Sequence, residues 1–116
     1  NKMRLNQIAE ESSRLINSAR EGRINPDELK GGTFTISNLG MFDVDYFTAI
    51  INPPESAILA VASIKDRAVV NDKGIVAKPI MKSVLSVDHR LIDGVLAVKF
   101  LNRIKLYLEN PELLCL

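Results

Sequence analysis

The chain has 116 residues, 47% of them hydrophobic and 25% charged, an ordinary globular composition that argues against disorder. Fifteen basic against fourteen acidic side chains leave a formal charge of +1, so no field favours nucleic acid or an anionic membrane surface. The single cysteine, Cys115, excludes an internal disulfide, and with one histidine there is no metal-ligand cluster of recognisable spacing.

Asn1-Lys2-Met3-Arg4 runs straight into helical periodicity, so the chain reads as a fragment of a longer polypeptide. Leu5, Ile8, Leu15, Ile16 and Ala19 recur at helical spacing, and Gly22 is a good left-handed residue to end that helix. Asn25-Pro26-Asp27-Glu28 predicts a short helical turn, with a cap, a proline in the first turn and acids at the positive dipole end. Gly31-Gly32 stops it.

Thr33 to Ser37 alternates and is rich in β-branched and aromatic residues, which predicts a strand broken by Asn38-Leu39-Gly40. Met41 to Asp45 reads as a loop. Tyr46 to Ile51 is a second extended segment, closed by Asn52-Pro53-Pro54. Ser56 to Ile64 is a near-continuous apolar run that suits a strand buried on both faces. Ala68 to Val70 and Ile75 to Ala77 flank the hairpin signal Asn71-Asp72-Lys73-Gly74, and Lys78-Pro79 opens a further strand, Ile80 to Val87. Val95 to Leu108 is helical and apolar on two sides, so it is either largely buried or packed against another subunit. Asn110-Pro111 ends it, and no apolar run approaches the ~20 residues that span a bilayer. No signal peptide is visible. Helix, about five or six strands, and helix make an α/β chain with a two-layer mixed sheet and helices on one face.

The stretch from Ser86 to Gly94 stands out. It holds His89 between Asp88 and Arg90, with Asp93 four residues on, where a strand gives way to a helix. Strand ends that feed loops are favoured places for catalytic groups, since the strand fixes what the loop exposes. Histidine titrates near neutrality and suits general-base work. Read alone, a single histidine is more often a surface or structural residue, and Asp88 and Asp93 suit helix capping equally well. No nucleophile-elbow serine or cysteine is present, and Cys115, at the chain end, reads as structural.

Asp88-His89-Arg90-Leu91-Ile92-Asp93-Gly94 resembles the DHRxxDG signature of dihydrolipoamide acyltransferase catalytic domains, the E2 cores of 2-oxo acid dehydrogenase complexes. The more distant chloramphenicol acetyltransferases share its His-x-x-x-Asp-Gly part. Residues 31–42, from Gly31 to Phe42, resemble the family's second signature, and residues 50–61, from Ile50 to Val61, its third. The three occur in the family's order. The match covers essentially the whole chain, so residues 1–116 are expected to be the C-terminal half of that domain, with a chloramphenicol-acetyltransferase-like, CoA-dependent acyltransferase fold. Asp43 stands where the family usually has glycine after the Met-Phe pair. Ser37 to Phe42 together with Phe47 to Ile51 resembles the pyruvate-dehydrogenase branch more than the succinyl or branched-chain branches.

The resemblance implies acetyl transfer between dihydrolipoamide and coenzyme A without an acyl-enzyme. His89 is then the base that deprotonates the attacking thiol, and Ser37 the hydroxyl that stabilises the oxyanion. Asp93 orients the loop through an arginine that lies outside this sequence. Asn38, Met41 and Phe42 line the substrate channel; otherwise Asn38 is a turn residue and the other two are core. Coenzyme A or acetyl-CoA and a lipoyl group on a separate domain are the implied substrates. The implied assembly is a homotrimer built into a cubic or dodecahedral core, with Ser37 and His89 meeting across a subunit boundary. The E1 and E3 components bind through other domains, in the bacterial cytoplasm or the mitochondrial matrix. Two rivals remain: a chloramphenicol-acetyltransferase type of enzyme with another acceptor, and an inactive structural core fragment.

Overall fold

The computed structural model describes residues 3–114, so Cys115 and the end of the apolar tail lie outside the described residues. The chain forms two compact units, Asn1–Gly32 and Thr33–Leu116.

In the first unit, helix α1 spans Leu5–Arg20 and ends as its sequence predicts. Gly22 takes a φ of +66°; its N–H donates to the carbonyl of Ala19 and that of Arg23 to Ser18, a paired C-terminal closure. The 3₁₀ turn Pro26–Leu29 is capped by Asn25, whose Oδ1 accepts from the Asp27 N–H at 3.0 Å. Arg14 joins the two pieces through Glu11 and Glu28, at 2.7 and 2.6 Å, and its guanidinium holds both carboxyls below their ordinary range.

The second unit is organised around its central strand. Strands β1 (Thr35–Asn38), β2 (Ala57–Asn71) and β3 (Gly74–Val87) form one mixed sheet in the order β1-β2-β3, with β1 parallel and β3 antiparallel to β2. The apolar run predicted to be buried on both faces is the N-terminal half of β2: Ala57, Ile58, Leu59, Ala60 and Ala62 are buried, whereas Ile64, at the end of the run, is exposed. Ile58 and Leu59 each contribute roughly 1.5–3 kcal/mol by leaving water. Helix α2 (Gly94–Glu109) covers one face, where Phe100 meets Phe34 edge-on with ring centroids 5.6 Å apart. Beside that contact α2 stands off the sheet, over an apolar cavity of about 260 Å³ lined by Leu85, Val87, Ile92 and Leu96 among others. A last 3₁₀ turn, Pro111–Leu114, follows α2.

The expected five or six strands are three among the described residues. β2 continues through Lys65-Asp66-Arg67, past the Ile64 end of the apolar run, and β3 runs unbroken through Pro79. Proline is tolerated there because, among the described residues, β3 has a sheet partner on one side only. The two-residue hairpin turn stands where predicted, with Asn71 opposite Gly74. Tyr46–Ile51 forms no strand; it has the alternation of one but pairs with no other strand among the described residues.

Opposite Lys82, β2 carries one extra residue, a bulge at Ala62-Ser63. The bulge turns Ser63 onto the incoming loop: its N–H donates to the carbonyl of Val44 at 2.9 Å and its hydroxyl to that of Gly40 at 2.8 Å. Asp43 takes the left-handed conformation, φ +58°, as an aspartate in a glycine position must. Lys65 holds Asp43, while Arg67 and Lys82 hold Asp45. Gly40 fits this seam for want of a side chain. A Cβ would come within 3.0 Å of Asn38 Oδ1 and 3.2 Å of the Ala62 carbonyl oxygen. Gly40→Ala is therefore expected to destabilise the fold by about 1–3 kcal/mol, the range for overpacking, as read from a chemical melt; an unchanged midpoint would show that the seam yields freely.

Candidate active site

β3 delivers its last residues to a tight corner. The Asp88 N–H donates to the carbonyl of Ser56 at 2.8 Å, which carries the β2–β3 pairing one step past the end of the strand. The chain then turns: the Leu91 and Ile92 N–H groups both donate to the Asp88 carbonyl at 3.0 Å. His89 and Arg90 occupy the turn and are exposed. Asp93 is the N-cap of α2, its Oδ1 accepting from the Leu96 N–H at 2.8 Å.

Asp88 is occupied by its neighbour. Its carboxylate grips the Arg90 guanidinium through Oδ1 to Nε at 2.9 Å and Oδ2 to Nη2 at 2.6 Å, and Oδ1 also accepts the Arg90 N–H at 3.0 Å. The guanidinium first, and that N–H second, hold the Asp88 carboxyl down at about 2. Because the folded value is depressed, the grip is in place above the ordinary carboxylate range and is lost as pH falls through about 2.

Asp88 and Asp93 both have structural work here, but different work. Asp93 caps, as one reading of the sequence allowed, whereas Asp88 closes a turn of its own before the helix begins. That role was missed; the signal was an aspartate two residues before an arginine directly after a strand, which favours a side-chain-closed turn. Asp93→Ala is expected to cost roughly 1 kcal/mol in thermal stability while Asp93→Asn, an equally good cap, stays near the parent. A melt in which Asn is as damaging as Ala would assign the loss to charge instead.

The other predicted residues lie on the far side of the sheet. Ser37 is half-buried on β1; Asn38 closes its own turn, Oδ1 accepting from the Gly40 N–H at 2.9 Å. Met41 and Phe42 sit on the 3₁₀ turn Gly40–Phe42 and are 67% and 70% exposed, so they are not core residues of this chain. Ser37 pairs with Ala60, which pairs with Val84, five residues before His89. Two strand spacings of ~4.8 Å and the three residues of ~3.3 Å from Val84 to the end of β3 at Val87 put Ser37 roughly 14 Å from the strand end, with His89 in the turn beyond it. The chain does not bring them together. The histidine corner and the serine strand stand apart.

The sequence matches, over residues 1–116, the family of 2-oxoacid dehydrogenases acyltransferase (catalytic domain). The chain belongs to this family. Among its relatives is the mitochondrial dihydrolipoyllysine-residue acetyltransferase component of the pyruvate dehydrogenase complex of Schizosaccharomyces pombe, 54% identical over 96 residues. That alignment takes in 80% of this chain and 20% of the relative. The fold matches the dihydrolipoamide acetyltransferase of Azotobacter vinelandii with a TM-score of 0.89 at 35% identity, over 99% of this chain and 47% of that one. It matches the cubic core of the pyruvate dehydrogenase multienzyme complex equally well, with a TM-score of 0.89 at 34% identity and the same coverage. The chain thus spans about a fifth of the yeast relative and just under half of either solved chain.

Proposed function

We propose that residues 1–116 are the C-terminal half of an acyltransferase catalytic domain that moves an acetyl group between dihydrolipoamide and coenzyme A in a pyruvate dehydrogenase complex. His89, Ser37 and Asp93 do the chemistry and its positioning. The observation that carries the reading is spacing. The structure of the Azotobacter vinelandii enzyme is described as an investigation of one serine, one histidine and one asparagine in its catalytic mechanism. There the serine precedes the histidine by 52 positions and the asparagine follows it by 4, the spacings of Ser37, His89 and Asp93 here. Asparagine and aspartate are equivalent caps, so either residue at this position supplies a side-chain oxygen able to start α2.

In this reading His89 takes the proton of the attacking thiol. The thiolate adds to the thioester carbonyl, and the Ser37 hydroxyl donates a hydrogen bond to the oxygen that becomes negative. The intermediate collapses with expulsion of the second thiolate, which recovers the proton from His89. Met41 and Phe42, apolar and exposed, border the channel through which the acyl carrier arrives, and Asn38 shapes the turn beside Ser37. The neighbour that is a cubic pyruvate dehydrogenase core supports a multimeric core here too. A trimer within it supplies Ser37 to the His89 of the next copy, and the E1 and E3 components attach through other domains. A mitochondrial relative and a bacterial one support either the matrix or the bacterial cytoplasm.

The test is the transfer of an acetyl group from acetyl-CoA to dihydrolipoamide by the complete domain, with succinyl-CoA and a branched acyl-CoA beside it. A preference for either of the latter would move the chain to another branch, and no transfer from any would favour a structural core fragment. Chloramphenicol as acceptor separates the remaining rival.

A further inference from the structure

The bonds of Asp88 straddle His89. On one side its backbone N–H holds the central strand through Ser56; on the other its carboxylate and carbonyl hold Arg90, Leu91 and Ile92. His89 is thus the one residue inside a loop closed by its two neighbours. The Asp88 side chain is 19% exposed and that of Arg90 is 87% exposed, so Arg90 folds back over Asp88 from the solvent side. A pair so open adds little to global stability. A two-pronged grip of this kind contributes direction.

The geometry points to Asp88 as a positioning residue for His89, acting with Arg90 as a staple that fixes the backbone from which the imidazole projects. The inference rests on the reading of His89 as the base. A base must lie within hydrogen-bond reach of the proton it removes, and a displacement of 1 Å costs about 10²-fold in rate. Proton transfer itself involves neither Asp88, which is tied to Arg90, nor the guanidinium.

The test compares Asp88→Ala, Asp88→Asn, Arg90→Ala and His89→Ala in the complete domain, by steady-state acetyl transfer and by NMR couplings that report the His89 side-chain rotamer. Asp88→Ala is expected to lower kcat by about 10²-fold with KM within about twofold, and to average the rotamer. Asp88→Asn keeps the oxygen that accepts the Arg90 N–H and is expected to recover to within about tenfold of the parent. Arg90→Ala removes an exposed side chain and leaves the core untouched, so it covers the case in which Asp88→Ala fails to fold; a loss of about tenfold in kcat is expected. An Asp88→Ala or Arg90→Ala enzyme with parental kcat, a loss confined to KM, or an asparagine no better than alanine would overturn the staple. An active His89→Ala enzyme would overturn the base assignment alone, and the rotamer would then decide the staple: averaged in Asp88→Ala it stands, unchanged it falls.

Discussion

Replacing His89 with alanine in the complete domain is expected to lower kcat for acetyl transfer by about 10²–10⁴-fold, the range a positioned base supplies. A free thiol has a pKa of ~8.5, so little of it is thiolate at neutral pH without such a base. The corner offers no substitute. Asp88 is held at about 2 by Arg90, too acidic to keep a proton taken from a thiol, and Asp93 has its Oδ1 on the Leu96 N–H. KM is expected to stay near the parent value, since the lost interaction belongs to the transition state. The measurement is a steady-state assay at saturating acetyl-CoA. A loss of less than about tenfold would remove His89 from the mechanism.

The second large effect is a recovery. Ser37→Ala removes the proposed oxyanion donor and is expected to cost about 10²–10³-fold by itself. Both single variants are therefore nearly silent. Ser37 and His89 of one chain lie apart along and across the sheet, and the proposed two-copy site takes one from each of two chains. When the two variants are unfolded together and reassembled, each site draws its serine and its histidine from different chains. Random pairing leaves about a quarter of the sites with both groups intact, so about a quarter of parental activity is expected to return. A mixture no more active than its components would mean that each chain completes its own site, and the two-copy arrangement would be wrong.

Much of this was legible in the residues because it is local. Gly22 closes α1, Asn25 caps its turn, Asn71 to Gly74 makes the hairpin, and Asp93 starts α2; each is a short-range device. The apolar run of β2 was equally plain, since a strand covered on both faces has no need of alternation. What escaped was non-local. Lys65-Asp66-Arg67 looks like an end and Pro79 like a beginning only until the sheet order is known. The far half of the hairpin stands clear of the buried core, where charge is tolerated, and Pro79 lies on a strand partnered on one side. Tyr46 to Ile51 fails as a strand for the complementary reason, a pattern without a partner. For the site, two of the three motifs marked Ser37, His89 and Asp93, but only strand register separates Ser37 from His89, and no motif encodes register.

Register also determines how this chain tolerates insertion and deletion. The place of His89 is set by pairings that begin at Asn71 and Gly74 and pass the bulge at Ala62-Ser63. Length added to the tip between Asp72 and Lys73 leaves every later pair in place. Loss of a single residue between Ile80 and Val87 moves each following side chain to the opposite face of the sheet. The hairpin tip can therefore drift in length over evolutionary time, while the short run of β3 before the corner admits substitution but no change in length.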